Sequence, residues 1–273
     1  MPRSRSFYAL VLIFLCLFSV QSVAEVLTLG SAINKAGRQR MLTQNILKNY
    51  LALGLQVDMV RARGELDRSV ALFEEQFEEL QDYSTDKAVQ AALAKVEPLW
   101  FEYRMLAIMP PSQDNAAVML QKNNALLQAC HQVVLDLQRV AGRSSAEMVN
   151  VSGRQRMLSQ RIAAYYFAQA WGFRDQVYVD GFNQARTEYA AGLHKLIGFE
   201  KNSVDLRTAL KRVEAQWQFA NTGFDQLQDG NYVPHVISVT TSGMLKKMDE
   251  ITGLYEQLDT DLTSGAIVST ATP

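Results

Sequence analysis

The residues best equipped for chemistry occur twice. Gly37-Arg38-Gln39-Arg40-Met41-Leu42-Thr43-Gln44 returns 116 residues later as Gly153-Arg154-Gln155-Arg156-Met157-Leu158-Ser159-Gln160. Seven of the eight positions are identical. On a helix, residues three and four apart share a face. Ile33, Gly37, Arg40, Gln44, Leu47 and Leu51 therefore form one stripe, matched by Val149, Gly153, Arg156, Gln160, Ala163 and Phe167. A guanidinium stays charged and presents a planar fork of donors suited to a small planar oxyanion. A glycine inside a helix is unfavourable by about 1 kcal/mol relative to alanine, but it lets another backbone come close. No acid lies within four residues of Arg40 or Arg156. If these arginines are buried, their counter-charge must come from another helix or from a ligand. Two such helices packed about a two-fold axis would enclose one anion between Gly37, Arg40, Gly153 and Arg156. Gln44 and Gln160 would add a donor one turn further on. Arg38 and Arg154 lie about 200° around the helix from Arg40 and Arg156, and are expected to be solvated or paired with acids.

The elements that must position this motif are helices. Leu42, Ile46, Tyr50 and Leu53, with Leu158, Ile162 and Tyr166, add a second apolar stripe beside the first, so each motif helix is packed on two sides. The repeat continues downstream, where Val96-Glu97 and Trp100 recur as Val213-Glu214 and Trp217. Apolar steps of three and four divide each copy into about four helices, and alternating strand patterns are almost absent. The spacing predicts an all-α chain of two tandem antiparallel four-helix-bundle modules. Boundaries are expected at 25–142 and 143–264, with a disordered tail at 265–273. Gly142 is a weak interruption, so a continuous helix joining the modules is the alternative. Trp100 and Trp217 continue apolar stripes and read as core. Glu97 and Glu214, recurring at equivalent places, are the bundle carboxylates that would pair with Arg40 and Arg156 if no ligand does.

Residues 1–24 read as a cleaved secretory signal: Arg3 and Arg5, an apolar run from Tyr8 to Val20, then Ser22-Val23-Ala24. The expected location is the periplasm, with an uncleaved inner-membrane anchor as the alternative. Net charge is −1, and −3 once Arg3 and Arg5 are removed, which argues against nucleic acid as a partner. Only Cys130 follows the signal, so it reads as a buried apolar residue rather than half of a disulfide. His131, His194 and His235 form no metal-ligand pair in sequence, and no cofactor or metal is expected. No nucleophile–base pair or phosphate-cradling loop is present, which points away from an enzyme.

Ile33-Asn34-Lys35-Ala36-Gly37-Arg38-Gln39-Arg40-Met41-Leu42 resembles the opening helix of the PilJ-type family, the N-terminal sensor domain of type IV pili chemotaxis transducers. That family is similar to the NarX-like sensor domain of nitrate/nitrite-responsive kinases. The resemblance implies four-helix bundles whose motif helices meet to hold nitrate or nitrite between glycines and arginines, here Gly37, Arg40, Gly153 and Arg156. The nitrate sensors carry a further arginine near the end of the motif. Arg161 would fill that place in copy two, while Asn45 stands there in copy one. The sequence shows no kinase or methyl-accepting region after the second module, so a sensing role would require a membrane receptor as partner. Two function classes follow. One is a binding protein for a small inorganic anion of the nitrate class; the other is a non-sensing helical bundle that docks on a membrane receptor or a pilus or chemotaxis component. Whether the motif helices meet within one chain or across a homodimer is open at this level.

Overall fold

The structure is a computed structural model that describes residues 27–226 and 233–265. The expected secretory signal, residues 227–232 and the tail beyond Gly265 lie outside the described residues. Among those described, eight helices and no strand are found. They are α1 (Leu29–Gly54), α2 (Met59–Tyr83), α3 (Lys87–Ile108), α4 (Gln113–Ala141), α5 (Ser144–Ala170), α6 (Gln176–Ile197), α7 (Val204–Gln226) and α8 (Pro234–Ser264). Local chemistry sets the ends. Thr28 Oγ1 accepts from the Ser31 amide at 3.1 Å to start α1, Asp86 caps the Ala88 and Val89 amides of α3, and Ser112 caps α4. Each cap takes up amide groups that the first turn leaves unpaired.

The modules are not joined by a continuous helix. Gly142 closes α4 in the left-handed conformation, φ +62°, donating its amide to the Gln138 carbonyl. That conformation suits glycine and stops the helix, and Arg143 and Ser144 turn the chain straight back into α5.

The motif helices form the centre. α1 and α5 make extensive contact with each other, flanked by α2 and α4 on one side and by α6 and α8 on the other. α3 packs mainly on α4, and α7 on α8. α1 and α5 run parallel, as three pairings at nearly constant offset show: Asp259 touches both Gly30 and Ser145, Gly37 meets Gly153, and Gly54 meets Trp171. A pseudo-two-fold axis thus runs along the bundle. The aromatic core repeats across it. Phe73 stacks on Trp100 at 3.8 Å between centroids, and Tyr189 lies against Trp217 at 4.5 Å. Both tryptophans are buried.

At the end of the bundle that holds the α1–α2 loop, the Trp171 ring lies over Gly54 with no room for a methyl group. Gly54→Ala is expected to destabilise the chain by about 2 kcal/mol through overpacking against a rigid ring. Thermal melts of Gly54→Ala and of Gly54→Ala with Trp171→Ala test it, the second substitution removing the clash but leaving a packing loss of its own.

Candidate functional site

The polar residues of the motif divide between two surroundings. Thr43 Oγ1 donates to the Arg40 carbonyl and Ser159 Oγ to that of Arg156, as side chains one turn on commonly do. Gln44 Nε2 donates to Asn123 Oδ1 at 2.6 Å, and Gln160 Nε2 to the Thr241 carbonyl at 3.1 Å. Both glutamines are thus held inside their own modules. They do not reach the glycines, which stand seven residues back, about 10 Å along the helix. Arg161 lies elsewhere too: its guanidinium bonds and covers Tyr165.

Gly37, Arg40, Gly153 and Arg156 do come together, and they do so within one chain. A methyl placed on Gly37 would lie 3.9 Å from the Gly153 Cα, so the two backbones touch where the glycines face. The same methyl would lie 3.3 Å from Arg40 Nη2 and 3.6 Å from Arg156 Nη2; for Gly153 the order reverses with the same distances. Each arginine reaches back across the axis. Arg40 Nη2 donates to the Asn150 carbonyl at 3.3 Å, and Arg156 Nη2 to the Asn34 carbonyl at 3.2 Å. Arg156 also bonds Asn34 Oδ1 at 2.7 Å. Both side chains are fully buried.

Symmetry fails at the remaining nitrogen. Arg156 Nη1 donates to Asp249 Oδ1 at 2.5 Å. Arg40 Nη1 instead meets His131 Nδ1 at 3.0 Å, and no carboxylate pairs with Arg40 among the described residues. Both Nε atoms are buried without a hydrogen-bond partner. Burial, with Arg154 and Arg156 nearby, pulls Arg40 down to about 9; burial, opposed by Asp249, takes Arg156 to about 10. Both remain charged at neutral pH. Their Nη2 atoms lie no more than about 7 Å apart, where two unit charges repel by about 2 kcal/mol at an effective dielectric of ~20. The centre of the molecule therefore holds two like charges, one carboxylate and two unpaired donors.

The carboxylates expected from the repeat do not serve here. Glu97 is exposed and Glu214 half-buried, and neither pairs with the motif arginines. The partners that sequence reasoning missed, His131 and Asp249, stand on the fourth helix of each module at nearly equivalent positions. A 118-residue spacing between them was the available signal, but the change of residue type hid it. Arg38 and Arg154 are ion-paired at the rim, to Asp249 at 3.0 Å and to Glu188 at 2.6 Å. Cys130 is buried under Arg40's helix, and its thiol is pushed up to about 12 by burial, so it stays protonated.

The family model described as the type IV pili methyl-accepting chemotaxis transducer N-terminal domain, PilJ, matches residues 23–129 and 141–220. The chain belongs to the PilJ family. The two matched segments carry one motif each, and the gap between them covers the α4 end beyond residue 129. No curated protein and no solved structure matches the chain. Membership makes this a sensor-like domain of the chemotaxis-transducer type. In this PilJ chain both halves of the motif pair are present in a single polypeptide, and no helix among the described residues is long and apolar enough to cross a membrane.

Proposed function

We propose that this PilJ-family chain is a periplasmic, non-enzymatic binding protein for one small planar oxyanion of the nitrate or nitrite class, held between Arg40 and Arg156 at the Gly37–Gly153 contact. The observation that carries the reading is Arg40. A fully buried guanidinium with a histidine in place of a carboxylate, an unpaired Nε and a second arginine beside it is short of one negative charge. A buried unpaired donor is unfavourable by about 1–3 kcal/mol, and a planar anion accepting from both guanidinium groups would relieve it.

Calorimetry with nitrate and nitrite, against chloride at equal ionic strength, tests the reading. One anion per chain is expected. Arg40→Gln should weaken binding at least tenfold, since a charged hydrogen bond contributes about 1.5–3 kcal/mol. Arg156→Gln should act in the same direction. Absence of heat at millimolar nitrate and nitrite would sink the proposal.

A second reading draws on Arg156, whose charge Asp249 already meets. On that reading the motif is a packing device, and the chain serves as a docking partner for a chemotaxis or pilus signalling component, as the family description suggests. It predicts capture of such a partner with no oxyanion bound.

A further inference from the structure

A cleft of about 400 Å³ opens on the outer side of α1, walled by α2 and α8. It joins the two modules, since α1 and α2 belong to the first and α8 to the second. Its chemistry is uneven. Arg68 on one wall and Lys246 on the other form no ion pair among the described residues, although both line the cleft. Arg38 on the floor shares a single Asp249 oxygen with Arg156, so its charge is only partly met. The wall carboxylate Glu65 is already occupied by Lys48 at 3.2 Å and Arg61 at 3.0 Å. Cations are therefore in surplus here, in a chain whose net charge is −1. Between them lie Leu42, Leu72 and Leu245.

The pseudo-symmetric groove on the far side lacks the facing Arg68 and Lys246. By the repeat, Gln184 stands in place of Arg68 and Gln128 in place of Lys246, Arg154 is held by Glu188 at 2.6 Å, and Arg161, in place of Asn45, is laid on the Tyr165 ring. The facing pair of Arg68 and Lys246 thus belongs to one side of the molecule and is not a by-product of the repeated motif. Its volume falls within the range of small-molecule sites, about 300–1,000 Å³, and a bare inorganic ion would leave most of it unfilled.

We infer that this cleft binds a small organic anion, a carboxylate with an apolar body. The carboxylate is held between Arg68 and Lys246, and the body lies on Leu42, Leu72 and Leu245. The inference does not depend on oxyanion binding at the glycine contact.

Calorimetry on the full mature chain with benzoate as probe tests it, with benzamide and acetate as controls lacking the charge and the body. Saturable benzoate binding is expected, with benzamide and acetate at least tenfold weaker. The double variant Arg68→Gln with Lys246→Gln should weaken benzoate at least tenfold while leaving a nitrate titration unchanged; both side chains are exposed, so folding is not at stake. Arg40→Gln should leave benzoate binding unchanged. Benzamide binding as well as benzoate, no saturation to about 10 mM (weaker than ~3 kcal/mol), or loss with Arg40→Gln but not with the double variant would each overturn the assignment.

Discussion

Asp249→Asn is expected to lower stability by about 2–3 kcal/mol and, in the same protein, to tighten oxyanion binding roughly tenfold. Among the described residues Asp249 is the one carboxylate that Arg156 meets, and it also holds Arg38. Burial pushes its carboxyl up, but Arg156 and Arg38 outweigh that and keep it below its ordinary value. Breaking a buried pair typically destabilises by about 3–5 kcal/mol because one charge is left uncompensated. The Asp249 side chain is 45 % exposed, so water takes part, and the lower figure follows. The variant then holds two buried arginines without an acid, and an anion between them recovers what the carboxylate supplied. Urea unfolding in nitrate and in chloride at equal ionic strength separates the two effects. A stability loss that nitrate does not restore would mean that the arginine pair is not where the anion sits.

Acid should weaken the fold and strengthen the binding. Burial lowers His131 to about 4, with Arg40 and Arg154 adding to the effect and Glu188 opposing it. The unfolded chain, with an ordinary histidine near 6.5, takes up the proton first. His131 therefore contributes its full stability above pH 6.5, and that contribution is lost as pH falls from about 6.5 toward 4. Because the ring is partly exposed, about 1–2 kcal/mol is expected rather than the full linkage value. A bound anion beside Arg40 would offset the cations facing the imidazole from α1 and α5, raise its proton affinity and draw in a proton. Nitrate affinity should accordingly increase between pH 7 and pH 5, with proton uptake seen as a dependence of the heat on buffer ionisation enthalpy. His131→Gln should flatten both profiles. An affinity that does not change with pH in the parent protein would place the anion away from Arg40.

The helices, the repeat and the buried tryptophans were legible because each follows from local periodicity: apolar residues at steps of three and four, duplicated at a fixed offset. Gly37, Arg40, Gly153 and Arg156 could be grouped for the same reason, since a face needs only one helix to define it. What surrounds them could not. His131 lies 91 positions from Arg40, and Asp249 lies 93 from Arg156, and no local pattern says which side of a fourth helix faces a first. Recurrence singles out Glu97, yet recurrence marks a position in a module and not the direction its side chain faces. The break at Gly142 is hidden for a related reason: a lone glycine is compatible with a helix interior, and only its left-handed backbone shows that it ends one.

In an assembly of two identical subunits, any residue on the symmetry axis is inherited twice, so an acid introduced opposite one arginine is introduced opposite both. Joining the halves through the Gly142–Arg143 turn lifts that constraint. Asp249 can stand on one side and His131 on the other, giving a centre that is part self-neutralised and part open. The tether also sets the meeting of the halves at a fixed local concentration, independent of how much protein is made. A duplicated chain of this kind fixes its stoichiometry in the gene, and one mutation at a time can retune its response without a matching change in a partner copy.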